Sequence, residues 1–237
     1  MEQHILYIPE VQSSNTILKD YVRAGNAKQP FAVHTDFQTA GRGQHGNVWE
    51  SSKGQNLLVS FLVTDIKQSS LLPVLNMATA LAIVHCLKHW GINYAKVKWP
   101  NDIYVGDMKI AGILLENIFE GSRVKACVIG VGLNVNQQEF GEYNACSMNS
   151  LSAKNYDIKQ LLADLYDELY RCISLEPERI MSEVNELLYK KNKDVTFQHA
   201  EEYKQYTVQS MVLNGNLLVN KDGNELELEH HNYKWIG

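Results

Sequence analysis

Five consecutive residues, Lys98-Trp99-Pro100-Asn101-Asp102, bring a cation, an aromatic ring, a rigid breaker, an amide and a carboxylate to the end of a predicted strand. Lys109 follows across a hairpin predicted to turn at Gly106-Asp107, so its ammonium and the Asp102 carboxylate can converge on one ligand. The plainer account is a strand-ending turn in which Asn101 and Asp102 bond their own backbone. A second segment, Gly41-Arg42-Gly43-Gln44-His45-Gly46, satisfies G-x-G-x-x-G after a strand. Glycines let backbone N–H groups approach an anion, and Arg42 adds a planar fork of donors. A dinucleotide fold is excluded by context, even with Asp65 further on, because the chain beyond Asn47 leads into a strand and not into a helix. The third segment, Gly130 to Asn136, ends an apolar strand with two glycines and two amides, Asn134 and Asn136, and suits a narrow pocket or a plain strand end.

The elements that must position these groups follow from periodicity. A strand over Leu6 to Pro9 precedes a helix that starts at Ser13 and Ser14 as N-cap oxygens and closes at Gly25. Phe31 to Gln38 and Asn56 to Val63 are strands flanking an exposed loop from Gly41 to Gly54. Leu71 to Leu87 carries no Asp, Glu, Lys or Arg, yet Pro73, Asn76, Thr79 and His85 mark it as a buried core helix and not a membrane span. Short strands follow at Ala95 to Trp99, Ile103 to Val105, Lys109 to Glu116 and Arg123 to Val131. Helices span Asp157 to Ser174 and Glu176 to Tyr189. Beyond them, strands at Val195 to Phe197, Tyr206 to Leu213, Leu217 to Asn220 and Glu225 to Glu229 predict a small β-barrel. The expected fold is α+β, a mixed sheet with helices over residues 1–185, then the barrel over 186–237.

Composition narrows the class of function. The 237 residues carry a net charge of -5 with no basic stripe, which argues against DNA as a partner. Cys86, Cys127, Cys146 and Cys172 are scattered, so they predict buried reduced thiols and neither a zinc site nor a disulfide scaffold. His85 and His89 have metal-ligand spacing but lack the glutamate of H-E-x-x-H. The start of the chain shows no basic patch or apolar stretch of a secretory signal, so a cytoplasmic location is expected.

Taken in order, Gly41-Arg42-Gly43 with Trp49, Lys98-Trp99-Pro100-Asn101-Asp102 followed by Lys109-Ile110-Ala111-Gly112-Ile113-Leu114, and Gly130 through Asn136 resemble the biotin-protein ligase family; Ser13-Ser14-Asn15 is a weaker match. The resemblance implies a synthetase-like catalytic core with an SH3-like C-terminal barrel. It also implies ATP-dependent activation of biotin and its transfer to a lysine of a biotin carboxyl carrier domain, in a short form without the N-terminal DNA-binding domain of repressor members. Under it, Lys109, Arg42 and Asp102 are catalytic. Ser13, Ser14, Gln38, Gly41, Arg42, Gly43, Gln44, Trp49, Lys109 and Gly112 hold biotin. Asn47, Val48, Lys98, Asn101 and Asn134 face ATP, whose magnesium ion would lie near Asp102, and a homodimer is compatible with it. The family commonly repeats arginine in the glycine-rich loop where this chain has Gln44 and Asn47, so retention of the activated intermediate is the point this chain puts in question. A lipoate-protein ligase shares the fold and the adenylate chemistry, and a non-catalytic adenylate-binding module is the alternative of another class.

Overall fold

The computed structural model describes residues 3–26, 31–64, 66 and 71–236; Asp65, the acidic residue beyond the glycine-rich loop, lies outside them. The chain opens with β1 (Ile5–Tyr7), β2 (Glu10–Val11), α1 (Ser14–Arg23), β3 (Phe31–Thr35), β4 (Phe37–Gln38) and β5 (Asn56–Thr64). It continues through α2 (Leu72–His89), β6 (Ala95–Lys98), β7 (Asp102–Val105), β8 (Met108–Glu120) and β9 (Arg123–Asn134). Seven of these strands form one sheet in the order β1-β3-β5-β9-β8-β7-β6, parallel only between β1 and β3. The mixed sheet expected from sequence is therefore observed.

Strand side chains alternate between faces, and this alternation divides the sheet's work. Leu57, Val59, Phe61 and Val63 of β5, with Cys127, Ile129, Val131 and Leu133 of β9, join the main core. Helix α2 closes that core together with α4 (Ile158–Ile173) and α5 (Pro177–Glu186), packing against both. Helix α2 is long and apolar enough to cross a membrane, but 67% of it is buried inside the protein, as a core helix requires. On the opposite face, Leu18 and Val22 of α1 cover Leu62, Ile118, Ala126 and Val128. Helix α1 is short, so it leaves the rest of that face to other residues.

After α5, β10 (Asp194–His199), β11 (Glu202–Met211), β12 (Leu217–Lys221), β13 (Asn224–Leu228) and β14 (Lys234–Ile236) form an antiparallel sheet in the order β13-β12-β11-β10-β14. A small C-terminal antiparallel sheet is thus present where the barrel was expected, and β14, too short to show a period, was missed. So was α3 (Met148–Ser152), five residues held by a reciprocal Ser147–Ser150 capping box. Ser13 occupies the N-cap position of α1, yet its hydroxyl does not cap the helix. The Ser14 hydroxyl instead contacts Gln38.

The main core runs unbroken between the two sheets. Trp99, fully buried, meets Phe197 edge-on at 6.3 Å and donates its indole N–H to the Gly215 carbonyl at 2.9 Å. Gly215 has a left-handed φ of +86°, and a Cβ there would lie 2.7 Å from Pro73 Cβ, so only glycine fits this junction. Trp99→Phe keeps the ring contact but leaves the Gly215 carbonyl without its donor. We expect it to cost about 1–3 kcal/mol, measured as a lowered urea midpoint at unchanged m-value.

Candidate active site

Register aligns the candidate residues. Asp102 pairs with Lys98 on one side and Gly112 on the other, Gly112 pairs with Gly132, and Gly132 with Leu58. Directly opposed residues share a face, so Lys98, Asp102, Gly112 and Gly132 form one row on the face that α1 leaves open. In the next row Ser60 lies opposite Gly130. Three glycines therefore remove the side chains from the middle of this face, and a cavity of about 660 Å³ opens above it.

Each glycine makes room for a particular group. A Cβ on Gly132 would lie 2.4 Å from the Trp49 ring, and one on Gly130 would lie 2.5 Å from Asn15 Oδ1. A Cβ on Gly112 would come within 3.2 Å of Lys109 Nζ. Trp49 thus lies across the glycine pair, with Lys109 Nζ 5.5 Å from its ring centroid. Lys109 Nζ approaches Asp102 Oδ1 to 2.6 Å, off the angle of a hydrogen bond, and both side chains are about three-quarters buried. The hairpin has therefore brought the ammonium and the carboxylate together.

Beside the trough the wall is polar and buried. Gln38 Oε1 accepts from the Ser14 backbone N–H at 2.8 Å and contacts the Ser14 hydroxyl at 3.1 Å. Ser60 Oγ contacts Ser14 Oγ at 2.7 Å and donates to Asn15 Oδ1 at 2.5 Å. Asn15 Nδ2 passes the chain to Glu116 at 2.8 Å. Glu116 also receives Lys19 at 2.6 Å and Arg42 at 2.9 Å, so one carboxylate ties α1, β8 and the glycine-rich loop together. Burial alone would raise the pKa of Glu116. Hydrogen bonds from Lys19 and Asn15, with the charges of Lys19 and Arg42, outweigh it and hold the group below its ordinary value.

The glycine-rich loop folds back on itself, Trp49 N–H to Gly41 O at 3.0 Å and Gly43 N–H to Asn47 O at 2.7 Å. A Cβ on Gly41 would lie 2.4 Å from the Trp49 carbonyl oxygen, and Gly46 has φ +79°. These contacts, not a helix N-terminus, account for two of the loop's glycines. Most residues expected from sequence line the cavity: Ser13, Ser14, Gln38, Arg42, Gly43, Gln44, Asn47, Val48, Trp49, Lys98, Asn101, Asp102, Lys109 and Gly112. Gly41 and Asn134 do not. Asn134 donates instead to the Cys146 carbonyl at 3.0 Å, and Asn101 to the Ile113 carbonyl at 2.7 Å. Arg42 reaches the cavity but directs its guanidinium to Glu116 and Thr16 rather than toward Lys109.

The outer part of the cavity is built by the C-terminal domain, through Gln198, Ala200 and residues 230–235. Lys98 Nζ sits 4.5 Å from the Tyr104 ring centroid, 5.8 Å from Tyr189 and 5.7 Å from Trp235. Burial pushes its pKa down, against the raising charge of Asp102.

A family model described as biotin/lipoate A/B protein ligase matches residues 7–134, more than half of the chain and all three glycines of the trough. The chain belongs to the biotin/lipoate A/B protein ligase family. It is 36% identical to the bifunctional ligase/repressor BirA of Bacillus subtilis over 138 residues, 58% of this chain and 42% of that protein. It is 30% identical to biotin--protein ligase 2 of Arabidopsis thaliana over 211 residues, 80% and 62% of the two chains. The chain thus spans about two fifths of the bacterial relative's length. The fold is similar to that of a biotin protein ligase from Aquifex aeolicus in complex with biotin and ATP, with a TM-score of 0.86 at 21% identity over 99% of both chains. It is also similar to a biotin protein ligase from Leishmania major in complex with biotin, with a TM-score of 0.68 at 25% identity over 97% and 99%.

Away from this ligase-family site, His85 gathers with Glu168 and Cys172 and not with His89. The Arg171 guanidinium lies 2.6 Å from Glu168 and 3.2 Å from His85 Nδ1, filling the position a cation would take. Among the described residues all four cysteines are buried and free, and burial pushes the Cys86, Cys127 and Cys172 thiols up to about 12 and Cys146 to about 11.

Sequence reasoning missed Glu116, Ser60 and the ring of Tyr104, Tyr189 and Trp235. Glu116 was within reach, because it shares a face with Gly112 at spacing four along β8. Because its folded pKa is depressed, its contribution to stability is present above the unfolded value of about 4.3 and lost as pH falls through the folded value. Glu116→Gln should be less stable than the parent at pH 7, and the gap in melting temperature should close below about pH 4. Gly130→Ala, which drives a methyl into Asn15, should cost about 1–3 kcal/mol by the same melts and weaken ligand binding in the trough.

Proposed function

We propose that this chain activates biotin with ATP and transfers it to a lysine of a biotin carboxyl carrier domain. The observation that carries the choice of acid is the buried wall of Ser13, Ser14, Gln38 and Asn15 beside a side-chain-free trough. A ureido ring both donates and accepts hydrogen bonds and so matches such a polar wall, whereas the dithiolane ring of lipoate offers it neither an N–H nor a C=O. The curated relatives named as biotin ligases support the same reading.

In the first step a carboxylate oxygen of biotin bonds to the α-phosphorus of ATP, the α–β P–O bond breaks and pyrophosphate leaves. In the second, the lysine amine attacks the acyl carbon, its proton passes to solvent or a base, and AMP leaves. Both steps bring negative charge onto oxygens above the glycine row, where Lys109 stands. At an effective dielectric near 20, an ammonium about 4 Å from such a charge contributes about 4 kcal/mol. Asp102 neutralises Lys109 before the ligand arrives and fixes where its ammonium points. A carboxylate so engaged is a poor base for the incoming amine, so orientation of Lys109 is the role assigned to it here. Gln38, with its oxygen committed to Ser14, directs its N–H donors to the ligand, and Trp49 shields the apolar part. Lys98 and Asn101 border the nucleotide side together with Asn47 and Val48.

Asp102 is the lone carboxylate among the described residues lining the cavity, and Lys109 engages it. The donor set does not fit a protein-held magnesium ion, which belongs to the nucleotide as Mg-ATP. Every residue this scheme uses comes from one chain, and a cytoplasmic location is part of the same proposal.

Pyrophosphate–ATP exchange with biotin, lipoate or no acid tests the reading. Exchange with biotin alone is expected. Exchange with lipoate would move the substrate to the sister ligases, and none with either acid would leave an adenylate-binding module. Lys109→Ala should slow exchange about 10²–10³-fold, and a wild-type rate would remove Lys109 from the chemistry.

A further inference from the structure

Ser14, Asn15 and Ser60 are all buried, so the hydrogens of this small network have to be placed within it. Each serine hydroxyl has one hydrogen to donate and two lone pairs that accept. The Asn15 amide is oriented by its nitrogen, which donates to the Leu114 carbonyl at 3.3 Å and to the Glu116 carboxylate at 2.8 Å. Neither partner can donate in return. One is a backbone carbonyl, and Glu116, whose hydrogen bonds and neighbouring cations outweigh burial and hold its pKa below the ordinary value, is ionised at neutral pH. Asn15 Oδ1 therefore faces Ser60 Oγ at 2.5 Å, and because an amide oxygen only accepts, Ser60 commits its one hydrogen there. Ser14 Oγ stands 2.7 Å from Ser60 Oγ, and the hydrogen of that contact has to come from Ser14. The Gln38 oxygen, 3.1 Å from the Ser14 hydroxyl, already accepts from the Ser14 backbone N–H at 2.8 Å.

We infer that Ser60 is a positioning residue that sets which acid is accepted, by turning the Ser14 hydroxyl into a hydrogen-bond acceptor toward the cavity. The inference rests on the proposal that biotin is the acid bound here. With its hydrogen directed to Ser60, Ser14 Oγ keeps a lone pair for the cavity that Ser14 lines, and Gln38, whose oxygen is engaged, offers its N–H donors beside it. An acceptor next to a donor is the complement of an N–H next to a C=O, the pattern along the edge of a ureido ring. The relay runs in one direction only. Reversing it would turn the Asn15 oxygen onto the Glu116 carboxylate and the Leu114 carbonyl, with no hydrogen between them. Gly130, opposite Ser60 in the sheet, leaves the room it needs, since a Cβ there would lie 2.5 Å from Asn15 Oδ1. Without Ser60 the Ser14 hydroxyl could rotate and would accept from an N–H or donate to an oxygen alike, and a site that rejects analogues lacking a hydrogen-bonding group depends on such groups being fixed.

The test is calorimetric binding of biotin and of the two cyclic carbamates in which one or the other ureido N–H is replaced by a ring oxygen, to wild type and to Ser60→Ala. In wild type the carbamate whose ring oxygen meets the Ser14 lone pair should bind at least about tenfold more weakly than biotin. In Ser60→Ala the freed Ser14 hydrogen can turn to that oxygen, and the preference should shrink to within about threefold. In pyrophosphate exchange the variant should raise the KM for biotin about fivefold or more with kcat unchanged within about twofold, the mark of binding lost equally from ground and transition states. Equal weakening of all three ligands in Ser60→Ala would leave Ser60 a packing role and overturn the inference, as would carbamates that bind wild type as well as biotin does. If Ser60→Ala fails to fold, Ser60→Cys replaces it, since a thiol is a weak donor and a weak acceptor of similar size, and the same loss of preference is expected. Absence of biotin binding by wild type would instead refute the proposed function, so the two failures are distinguishable.

Discussion

A β-sheet is normally covered on both faces by its own side chains, and here the centre of one face is bare. Gly112 and Gly132 oppose each other on adjacent strands, and Gly130 continues the gap by one step along β9. Several contacts that define the site depend on this loss. Asn15 reaches Ser60 and Glu116 only because Gly130 has no Cβ, and the Trp49 ring occupies volume that a side chain on Gly132 would claim. The cost of glycine inside a strand is about 0.5–1 kcal/mol per residue relative to alanine. It is tolerable here because the same two strands bury Ala111, Ile113, Ile129, Val131 and Leu133 on the other face.

A half-buried cavity lined by cations also has to hold those cations in place. Lys109 rests against Asp102, and Arg42 against Glu116. These pairs hold the charged groups within reach of the cavity without leaving them unpaired in a partly desolvated space, where isolated charge is expensive. They also differ in consequence. The Lys109–Asp102 pair lies in the glycine row itself. Glu116 lies at its margin and binds two further donors from α1, so it acts as the root of the loop more than as a competitor for ligand.

How much of this could be read from the amino-acid order depended on range. The helix over 158–173 and the mixed sheet follow from period and were expected with nearly the observed bounds. Meeting of Lys109 with Asp102 was legible because a short hairpin with a Gly106-Asp107 turn joins them. Asn134 is the contrary case, since its partner at Cys146 lies across a loop that no periodicity describes. Arg42 is similar. Its residue type announces anion binding, but the identity of its resting partner depends on strand register, which places Glu116 on the face of Gly112. The ring of Tyr104, Tyr189 and Trp235 around Lys98 was hidden for the same reason, because its members come from β7, the stretch after α5 and β14.

That ring gives the small C-terminal sheet a reason to exist beyond packing. A lysine buried in apolar surroundings tends to lose its proton, and burial does push the Lys98 pKa down. Aromatic faces counter this, since each attracts an ammonium at about 0.5–2 kcal/mol without bringing a negative charge that would repel an anionic ligand. A carboxylate in place of Trp235 would hold Lys98 more strongly and would also oppose the ligand. Because Trp235 comes from the C-terminal sheet, the enclosure of the lysine draws on both sheets. The contact of Trp99 with Gly215 and Phe197 joins them. Neighbouring residues of one motif therefore serve opposite sides of the same junction, Trp99 locking the domains together and Lys98 using the space they enclose.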